Sequence, residues 1–430
     1  MASICVYGLW HLGLVTAACL AEAGFAVRAT DPDPARMHDL LAGKLPVYEP
    51  GLEELIGAGR AAGTYRFIAE PAKAVAGADI VWIAIDTPVD DDDRADVAPV
   101  MDAVRRIFPH LAEGAIVLSS SQLPIGSMGA LAAEYRAGGY GRNVDFCCSP
   151  ENLRLGSAIA VFRKPGYVVI GADSERPRAR LEALFRRFAD TIIFTSLRSA
   201  EMVKHALNTF LATTIAYSNE IARLCELTGA SARDVERALR CDPRVGAKAY
   251  VRAGPAFAGG TLARDVVYLT DIAGENKLDL PLLGHIVESN NAHRLWTYRR
   301  LVELFGDKLG QMTVAVLGLA YKAGTSALRR SQALELIRRL KRHGTAIRAF
   351  DPKVRALDGD EFRHVRVCGE IDAALSGADA VAFMTDWPEF KELDDERLRR
   401  LMRSPCVLDP YGLVEARMRT VPYYAVGNAR

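Results

Sequence analysis

The sequence contains little cysteine and no excess of one charge. Its eight cysteines among 430 residues are too dilute for a disulfide scaffold, and no cysteine or histidine spacing is typical of zinc, so no metal is expected. Lysine and arginine total 54 against 53 acidic residues, so no basic field exists to attract nucleic acid. Glycine and proline are too sparse for a fibrous or low-complexity chain. These absences indicate an ordinary globular protein.

Long hydrophobic runs are absent as well. The apolar stretch at residues 12–19 is too short to span a bilayer. The sequence enters an apolar strand without the basic region and the cleavage site of a signal peptide. We therefore expect a cytoplasmic protein that has neither a membrane nor a nucleic acid as a partner.

Strand and helix patterns divide the chain into three parts. Over residues 1–198, β-rich runs alternate with helical spacing, which favours a doubly wound parallel sheet. The strand signal vanishes over residues 199–305, where helical periodicity dominates, and the α/β pattern resumes over residues 306–430. The predicted fold class is therefore α/β, with two doubly wound domains joined by a helical one. The predicted strands are residues 3–7, 26–30, 80–85, 116–119, 168–170, 313–317, 346–350, 380–384 and 407–408, and the predicted helices include residues 14–23, 71–78, 200–228 and 332–343.

A glycine loop between the first strand and the first helix suggests dinucleotide binding. The loop, Gly-Leu-Trp-His-Leu-Gly at residues 8–13, precedes a helix whose N-terminal amides could hold a pyrophosphate, and an acidic residue ends the next strand, where it could bind ribose hydroxyls. The middle glycine of such loops is replaced by Trp10, which we predict to weaken NAD binding. An α/β turn without a nucleotide is the alternative. The candidate residues are Gly8, Trp10, His11, Leu12, Gly13 and Asp31.

Motifs in a fixed order extend along nearly the whole chain. They are residues 14–21, Tyr48-Glu49-Pro50-Gly51-Leu52, Thr87-Pro88, Pro150-Glu151-Asn152-Leu153-Arg154, Asn208-Thr209-Phe210-Leu211-Ala212-Thr213, Arg244-Val245-Gly246, Gly318-Leu319-Ala320-Tyr321-Lys322 and Thr385-Asp386-Trp387-Pro388. Their shared order is more specific than any single motif. On these residues the chain resembles the UDP-glucose/GDP-mannose dehydrogenase family.

This resemblance implies a function and an assembly. It implies two Rossmann-like domains joined by a helical dimerisation domain, with NAD held by residues 1–198 and the nucleotide of a nucleotide-sugar by residues 306–430. The sugar would lie between them, and residues 199–305 would build a homodimer. Members oxidise the C6 alcohol of a sugar such as that of UDP-glucose to a carboxylate in two hydride transfers, through a thiohemiacetal on a cysteine.

The resemblance also implies four catalytic roles. Glu151 matches the glutamate that helps to activate water, and Lys204 matches the lysine that stabilises a developing oxyanion. Asn208 matches the residue that orients the sugar, and Asp265 matches the aspartate paired with water. The plain alternative for Glu151 and Lys204 is that both are solvated surface charges.

The nucleophile of the family is absent from its expected position. The family pattern Gly-Gly-Ser-Cys-Phe-x-Lys-Asp falls on residues 258–265, Ala-Gly-Gly-Thr-Leu-Ala-Arg-Asp, which puts Thr261 in place of the cysteine. A threonine hydroxyl has no thiolate-like fraction at neutral pH, so the covalent step is in doubt. Cys148 lies three residues before Glu151, but a buried structural thiol is the favoured interpretation.

Further binding residues follow from the same resemblance. Gln122 stands where the family threonine of Ser-Thr-Val-Pro helps to hold water, and Tyr411 stands where many members have an arginine that clamps the nucleotide. Arg244 is expected to reach across the dimer. The remaining cofactor candidates are Arg36, Thr87, Gln122 and Arg329, and the substrate candidates are Asn152, Leu153, Arg154, Arg244, Phe257, Gly259 and Lys322.

Two classes of function remain open from the sequence. The first is an NAD-dependent nucleotide-sugar dehydrogenase that stops at the aldehyde, or that uses the hydrated aldehyde without covalent capture. The second is a non-catalytic family member that binds a nucleotide-sugar or a partner protein. Trp10 and Thr261 are the residues that discriminate between them.

Overall fold

The computed structural model describes residues 2–90, 94–151, 153–258 and 261–428. The chain divides into two units, Met1–Leu207 and Asn208–Arg430. Each unit contains one sheet, and the boundary falls within a long helix.

The described part of the first unit contains an eight-stranded sheet. Its strands are β1 (Ser3–Tyr7), β2 (Ala26–Thr30), β3 (Tyr65–Phe67), β4 (Ile80–Ile83), β5 (Ile116–Ser119), β6 (Asp145–Cys148), β7 (Val168–Gly171) and β8 (Ile192–Thr195). They lie in the order β3-β2-β1-β4-β5-β6-β7-β8. Neighbouring strands are parallel except for β6 and β7, which are antiparallel.

Side chains of successive strand residues point to opposite faces of a sheet. Both faces of this sheet carry apolar side chains, and helices cover both. In β1, Ile4 and Val6 belong to one buried apolar cluster, while Cys5 and Tyr7 belong to another. The helices of this unit are α1 (His11–Glu22), α2 (Pro34–Leu41), α3 (Leu52–Ala61), α4 (Pro71–Val75), α5 (Ala98–Ile107), α6 (Ser127–Ala137), α7 (Ala158–Arg163) and α8 (Glu175–Phe185).

A run of helices without described strands follows the first sheet. It consists of α9 (Leu197–Thr228), α10 (Ala232–Cys241), α11 (Thr261–Glu275), α12 (Pro281–Arg294) and α13 (Trp296–Phe305). Helix α9 is 32 residues long and contains the boundary between the two units. Two small apolar clusters lie within the second unit. In one of them α9 packs against α11 and α12, and in the other α9 packs against α10.

The second sheet repeats the α/β pattern in the order β11-β10-β9-β12-β13-β14, with parallel pairs throughout the described strands. Its elements are β9 (Thr313–Leu317), α14 (Gln332–Lys341), β10 (Ala346–Phe350), β11 (Val365–Val367), α15 (Ile371–Leu375), β12 (Ala380–Phe383), α16 (Asp395–Leu401), β13 (Val407–Leu408) and β14 (Tyr423–Tyr424). Short 3₁₀ turns lie at Phe108–His110, Gly306–Gln311, Asp360–Phe362, Pro388–Glu392 and Glu415–Arg417. Two parallel-sheet domains and a central helical region confirm the predicted fold class.

Several predicted boundaries are wrong. Helix α1 begins at His11, three residues before the predicted start, because the chain turns into helix directly after Trp10. The strand predicted for residues 80–85 ends at Ile83, and the helix predicted for residues 71–78 ends at Val75. The sequence pattern does not predict β3, β6, β8, β11 and β14, which have two to four residues each.

Candidate active site

Two glycines close the loop between β1 and α1. Gly8 has φ +104°, and a Cβ there would lie 2.6 Å from the backbone nitrogen of Ile85. A Cβ on Gly13 would lie 1.7 Å from the carbonyl oxygen of Gly8. The Gly8 N–H donates to the Thr30 carbonyl at 2.9 Å, which ties the loop to the end of β2. Both glycines are therefore required for the close packing of this loop.

The N-terminus of α1 is suited to an anion. Within the described residues, no side chain caps the helix at Trp10, and its first turn carries no acidic residue. The first amides of a helix lack intrahelical partners and attract phosphate. Trp10 itself has φ −83° and ψ −154°, an extended conformation that does not require glycine. The Leu12 side chain lies in the apolar core, so only its main chain is left for binding.

Asp31 lies at the end of β2 beside this loop, and its side chain is fully buried. Its carboxylate accepts the Leu9 N–H at 2.5 Å and the Asp33 N–H at 2.8 Å. The Arg36 guanidinium lies 3.2 Å from the same carboxylate and 5.4 Å from the centre of the Trp10 ring. The structure thus brings together three predicted cofactor residues, Trp10, Asp31 and Arg36.

His11 connects the loop to a distant segment through Glu49. Its Nε2 lies 2.8 Å from the Glu49 carboxylate, which is almost fully buried. The same carboxylate accepts the N–H groups of Gly156 and Ala158 at 2.7 and 2.8 Å. Glu49 therefore joins residue 11 to the start of α7, just after the motif at residues 150–154.

The predicted pair of Thr87 and Gln122 also meets. The Thr87 hydroxyl donates to the Gln122 carbonyl at 2.7 Å, which joins the segments that follow β4 and β5. These segments leave the sheet at its carboxyl edge, where ligands bind in open α/β sheets.

Glu151 and Lys204 are in direct contact. Lys204 Nζ donates to the backbone carbonyl of Glu151 at 2.5 Å. The Glu151 carboxylate accepts the N–H of Leu153, whose side chain packs against the core, while Arg154 is exposed. Neither Glu151 nor Lys204 is fully solvated, since both are partly buried. Asn152 lies outside the described residues.

In the second unit, Asn208 and Asp265 form a buried pair. Asn208 Nδ2 donates to Asp265 Oδ2, and Arg264 Nε lies 3.7 Å from Asp265 Oδ1. Thr261 is the first described residue of α11 and is exposed. It stands four residues, about one helical turn, before Asp265. Gly259 lies outside the described residues.

The remaining candidates of the second unit are spread over several segments. Phe257 exchanges two backbone hydrogen bonds with the Asn290 side chain, at 2.9 and 3.0 Å. Arg244 is exposed and pairs with the neighbouring Asp242 at 2.7 Å. Lys322 Nζ lies 5.6 Å from the centre of the Tyr321 ring. Arg329 is exposed in the turn before α14, in the second unit, whereas the other cofactor candidates lie in the first.

The cysteines offer no obvious substitute nucleophile. All eight lie in the described part of the chain, and seven of them are buried. Cys148 ends β6, and burial raises the pKa of its thiol far above the usual range, which disfavours the reactive thiolate. Cys241 is exposed at the end of α10. Across the described residues, no group of acidic, cysteine and histidine side chains could hold a metal ion, and no helix is long and apolar enough to cross a membrane.

Known proteins resemble the chain over its whole length. The UDP-glucose 6-dehydrogenase of Pseudomonas aeruginosa is 34% identical over 99% of this chain and 97% of its own length. The chain belongs to the UDP-glucose/GDP-mannose dehydrogenase family. The family's models match as its NAD binding domain at residues 2–189, its central domain at 198–292 and its UDP binding domain at 315–416.

Other family members agree with this assignment. UDP-glucose 6-dehydrogenase TuaD of Bacillus subtilis is 32% identical over 100% of this chain and 94% of its own length. The solved UDP-glucose dehydrogenase of Pyrobaculum islandicum is 31% identical and superposes with a TM-score of 0.87, covering 100% of this chain and 98% of the other. The expectation of a nucleotide-sugar dehydrogenase family member with NAD as its cofactor is confirmed.

Two charged contacts of the candidate site were not predicted. Glu49 lies within a motif that was used only for its resemblance, although a lone carboxylate between apolar residues could have suggested a buried partner. The family pattern assigns no role to Arg264, although its position next to Asp265 suggests an ion pair. Both contacts depend on burial, which the sequence does not display.

Proposed function

We propose that the chain oxidises the C6 alcohol of a UDP-glucose-like nucleotide-sugar once, with NAD, and releases the aldehyde. The observation that carries this proposal is Thr261, an exposed hydroxyl at the start of α11, one turn before the buried Asp265. No cysteine occurs between residues 242 and 367, so no thiol of this segment can hold the aldehyde. The names of the relatives support the substrate class.

The first domain fits the cofactor through residues already described. The amides at the start of α1 and the glycines at positions 8 and 13 suit a pyrophosphate, and Asp31 stands at the end of β2 where ribose hydroxyls bind in such domains. The loop accommodates Trp10, because the backbone of this residue is extended and its ring lies over Arg36. Bound NAD would supply the acceptor for the hydride that leaves C6.

The polar side chains provide the rest of the first oxidation. The Lys204 ammonium can stabilise negative charge on the C6 oxygen as its proton leaves, because a positive charge is worth more at a partly buried site than in water. The Glu151 carbonyl accepts from this ammonium and so fixes its position. Asp265 accepts the Asn208 amide N–H, which leaves the Asn208 carbonyl oxygen available to orient a sugar hydroxyl.

Product analysis tests the proposal. The chain is incubated with UDP-glucose and NAD, NADH formed per sugar is counted, and the product is identified by mass spectrometry with a carbonyl-trapping reagent. We expect one NADH per sugar and a trapped aldehyde. Thr261→Cys should gain a second oxidation, whereas the matched control Thr261→Ser, which adds no thiol, should not.

Two results would redirect the proposal. Two NADH per sugar and a uronic acid from the unmodified chain would show that the second oxidation needs no cysteine. If no nucleotide-sugar yields NADH, although NAD and UDP-glucose bind in calorimetric titrations, the chain is instead a non-catalytic family member.

The proposal includes a homodimer formed through α9. Five large apolar side chains of this helix are exposed: Met202 (41%), Phe210 (62%), Tyr217 (48%), Leu224 (56%) and Leu227 (82%). Phe210, Tyr217 and Leu224 are spaced by seven residues and therefore line one face of the helix. Such a stripe on a 32-residue helix requires cover, and a second copy of the same helix would provide it.

Sedimentation tests the dimer. The unmodified chain should sediment as a dimer at micromolar concentration, and Tyr217→Glu with Leu224→Glu should sediment as a monomer. Arg237→Glu, which changes an exposed residue of α10 outside the stripe, is the matched control. A monomeric unmodified chain would refute this part of the proposal.

A further inference from the structure

The Asp31 carboxylate is buried and enclosed by donors of the chain itself. Oδ2 accepts the Leu9 N–H and Oδ1 accepts the Asp33 N–H. Arg36 Nη1 lies 3.3 Å from Oδ1 and 3.2 Å from Oδ2, so this one nitrogen bridges both oxygens. These three donor groups surround a carboxylate that offers about four lone-pair positions and whose side chain is fully buried. A ribose diol can therefore bond to Asp31 only where a present donor leaves.

The second domain contains an aspartate at the matching position. Asp351 ends β10, as Asp31 ends β2, and it is fully buried. Its donors are the N–H groups of Leu319, Ala320, Lys353 and Val354 and the indole N–H of Trp387. Four of these five donors belong to the backbone. Asp31 differs because half of its contacts come from one surface side chain, Arg36, which is 31% exposed and can turn away.

Trp10 holds that side chain in place. Its ring centre lies 5.4 Å from the Arg36 guanidinium carbon, within the range of a cation–π contact. Of the four tryptophans, all within the described residues, only Trp10 is exposed, at 39%. An exposed indole that covers a guanidinium restricts the rotamers of the arginine and removes part of its hydration, which favours the arginine's contact with Asp31.

We propose that Trp10 is a specificity-determining residue of the ribose subsite: its indole keeps Arg36 on Asp31, so that an adenosine ribose binds only by displacing the guanidinium. The inference rests on a dinucleotide binding in the first domain and not on which sugar is oxidised. Its consequence is that the 2′-hydroxyl of adenosine contributes less to binding than Asp31 alone would allow. Without the indole, Arg36 leaves more readily and the full hydrogen bond to the carboxylate is gained.

Nucleotide titrations test this inference without turnover. ADP and 2′-deoxy-ADP are titrated calorimetrically into the full chain, with excess UDP present to fill the UDP binding domain. We expect a preference for ADP of less than about threefold in the unmodified chain. In Trp10→Ala the preference should rise to about tenfold, the value of one hydrogen bond to a charged group.

A double-mutant cycle separates the action of Trp10 through Arg36 from simple obstruction by the ring. In the Arg36→Met background, replacing Trp10 by alanine should change the preference for ADP less than twofold, because no guanidinium remains to be held. An equal gain from Trp10→Ala in both backgrounds would overturn the inference, as would an unchanged preference. Failure of ADP to bind any variant would also overturn it, since no ribose subsite would then exist at Asp31.

Tryptophan emission gives an independent measurement. The difference between the spectra of the unmodified chain and Trp10→Phe isolates the exposed indole, because Trp82, Trp296 and Trp387 are buried. ADP should change this difference spectrum by moving Arg36 away from the ring. An unchanged spectrum at saturating ADP contradicts the inference, and far-ultraviolet circular dichroism of each variant serves as the folding control.

Discussion

Gly13→Ala should destabilise the first unit, because the added methyl group clashes with the backbone of Gly8. The new Cβ would lie 1.7 Å from the Gly8 carbonyl oxygen and 2.8 Å from its carbonyl carbon. Gly8 cannot move away from the new methyl group. Its N–H donates a hydrogen bond to the Thr30 carbonyl, and its α-carbon faces the backbone of Ile85. Overpacking costs about 1–3 kcal/mol, and an obstructing backbone puts the cost at the upper end.

The net effect follows from two opposing contributions. Alanine is favoured over glycine inside a helix by about 1 kcal/mol, so Gly13→Ala should destabilise the first unit by about 2 kcal/mol. Gly129 in α6 is the matched control, because nothing lies within 4 Å of its potential Cβ. Gly129→Ala should stabilise the same unit by up to about 1 kcal/mol. The two variants therefore differ by about 3 kcal/mol for the same chemical change.

Hydrogen exchange of peptides from β1 and β2 measures the stability of the unit that contains both glycines, and calorimetry measures NAD binding. Gly13→Ala should exchange faster and lose NAD affinity, whereas Gly129→Ala should do neither. Equal protection and equal NAD affinity in the two variants would show that the loop is not closed by this contact and would refute the reasoning.

Three further predictions concern other residues. Trp10→Gly should tighten NAD binding in a calorimetric titration, and unchanged or weaker affinity would contradict this. Lys204→Met should lower kcat about 100-fold through lost oxyanion stabilisation, measured as steady-state NADH formation over a range of UDP-glucose concentrations; a change confined to KM would refute that role. Burial lowers the pKa of His293 to about 4, below the usual 6.5, so the unfolded chain binds a proton that the folded chain does not. Stability should therefore fall by about 2 kcal/mol between pH 7 and pH 5, and His293→Gln should reduce this loss in urea titrations; an equal loss in the variant would refute the assignment.

Local pattern was sufficient to predict the major strands. The strands at residues 3–7, 26–30 and 313–317 combine apolar, β-rich residues with a following turn, and they were predicted to the residue. The family also followed from the sequence, because ordered motifs need no coordinates to be compared. Strands such as β14, with two residues, were missed because their pairing with a neighbouring strand, and not their own composition, makes them strands.

The sequence alone determined which chemical groups the candidate site can contain. It retains Glu151, Lys204, Asn208 and Asp265, and it has no thiol at position 261.

Only the tertiary structure decided which of these groups touch, because a contact between residues far apart in the chain depends on how the strands and helices pack. The sequence presented Trp10 as an obstacle to a pyrophosphate and Arg36 as a separate ligand. The fold instead brings the indole over the guanidinium and the guanidinium onto Asp31, at distances that depend on the course of the chain between β1 and α2. Burial then determines the strength of these contacts, since removing water strengthens each charge–charge and charge–dipole interaction.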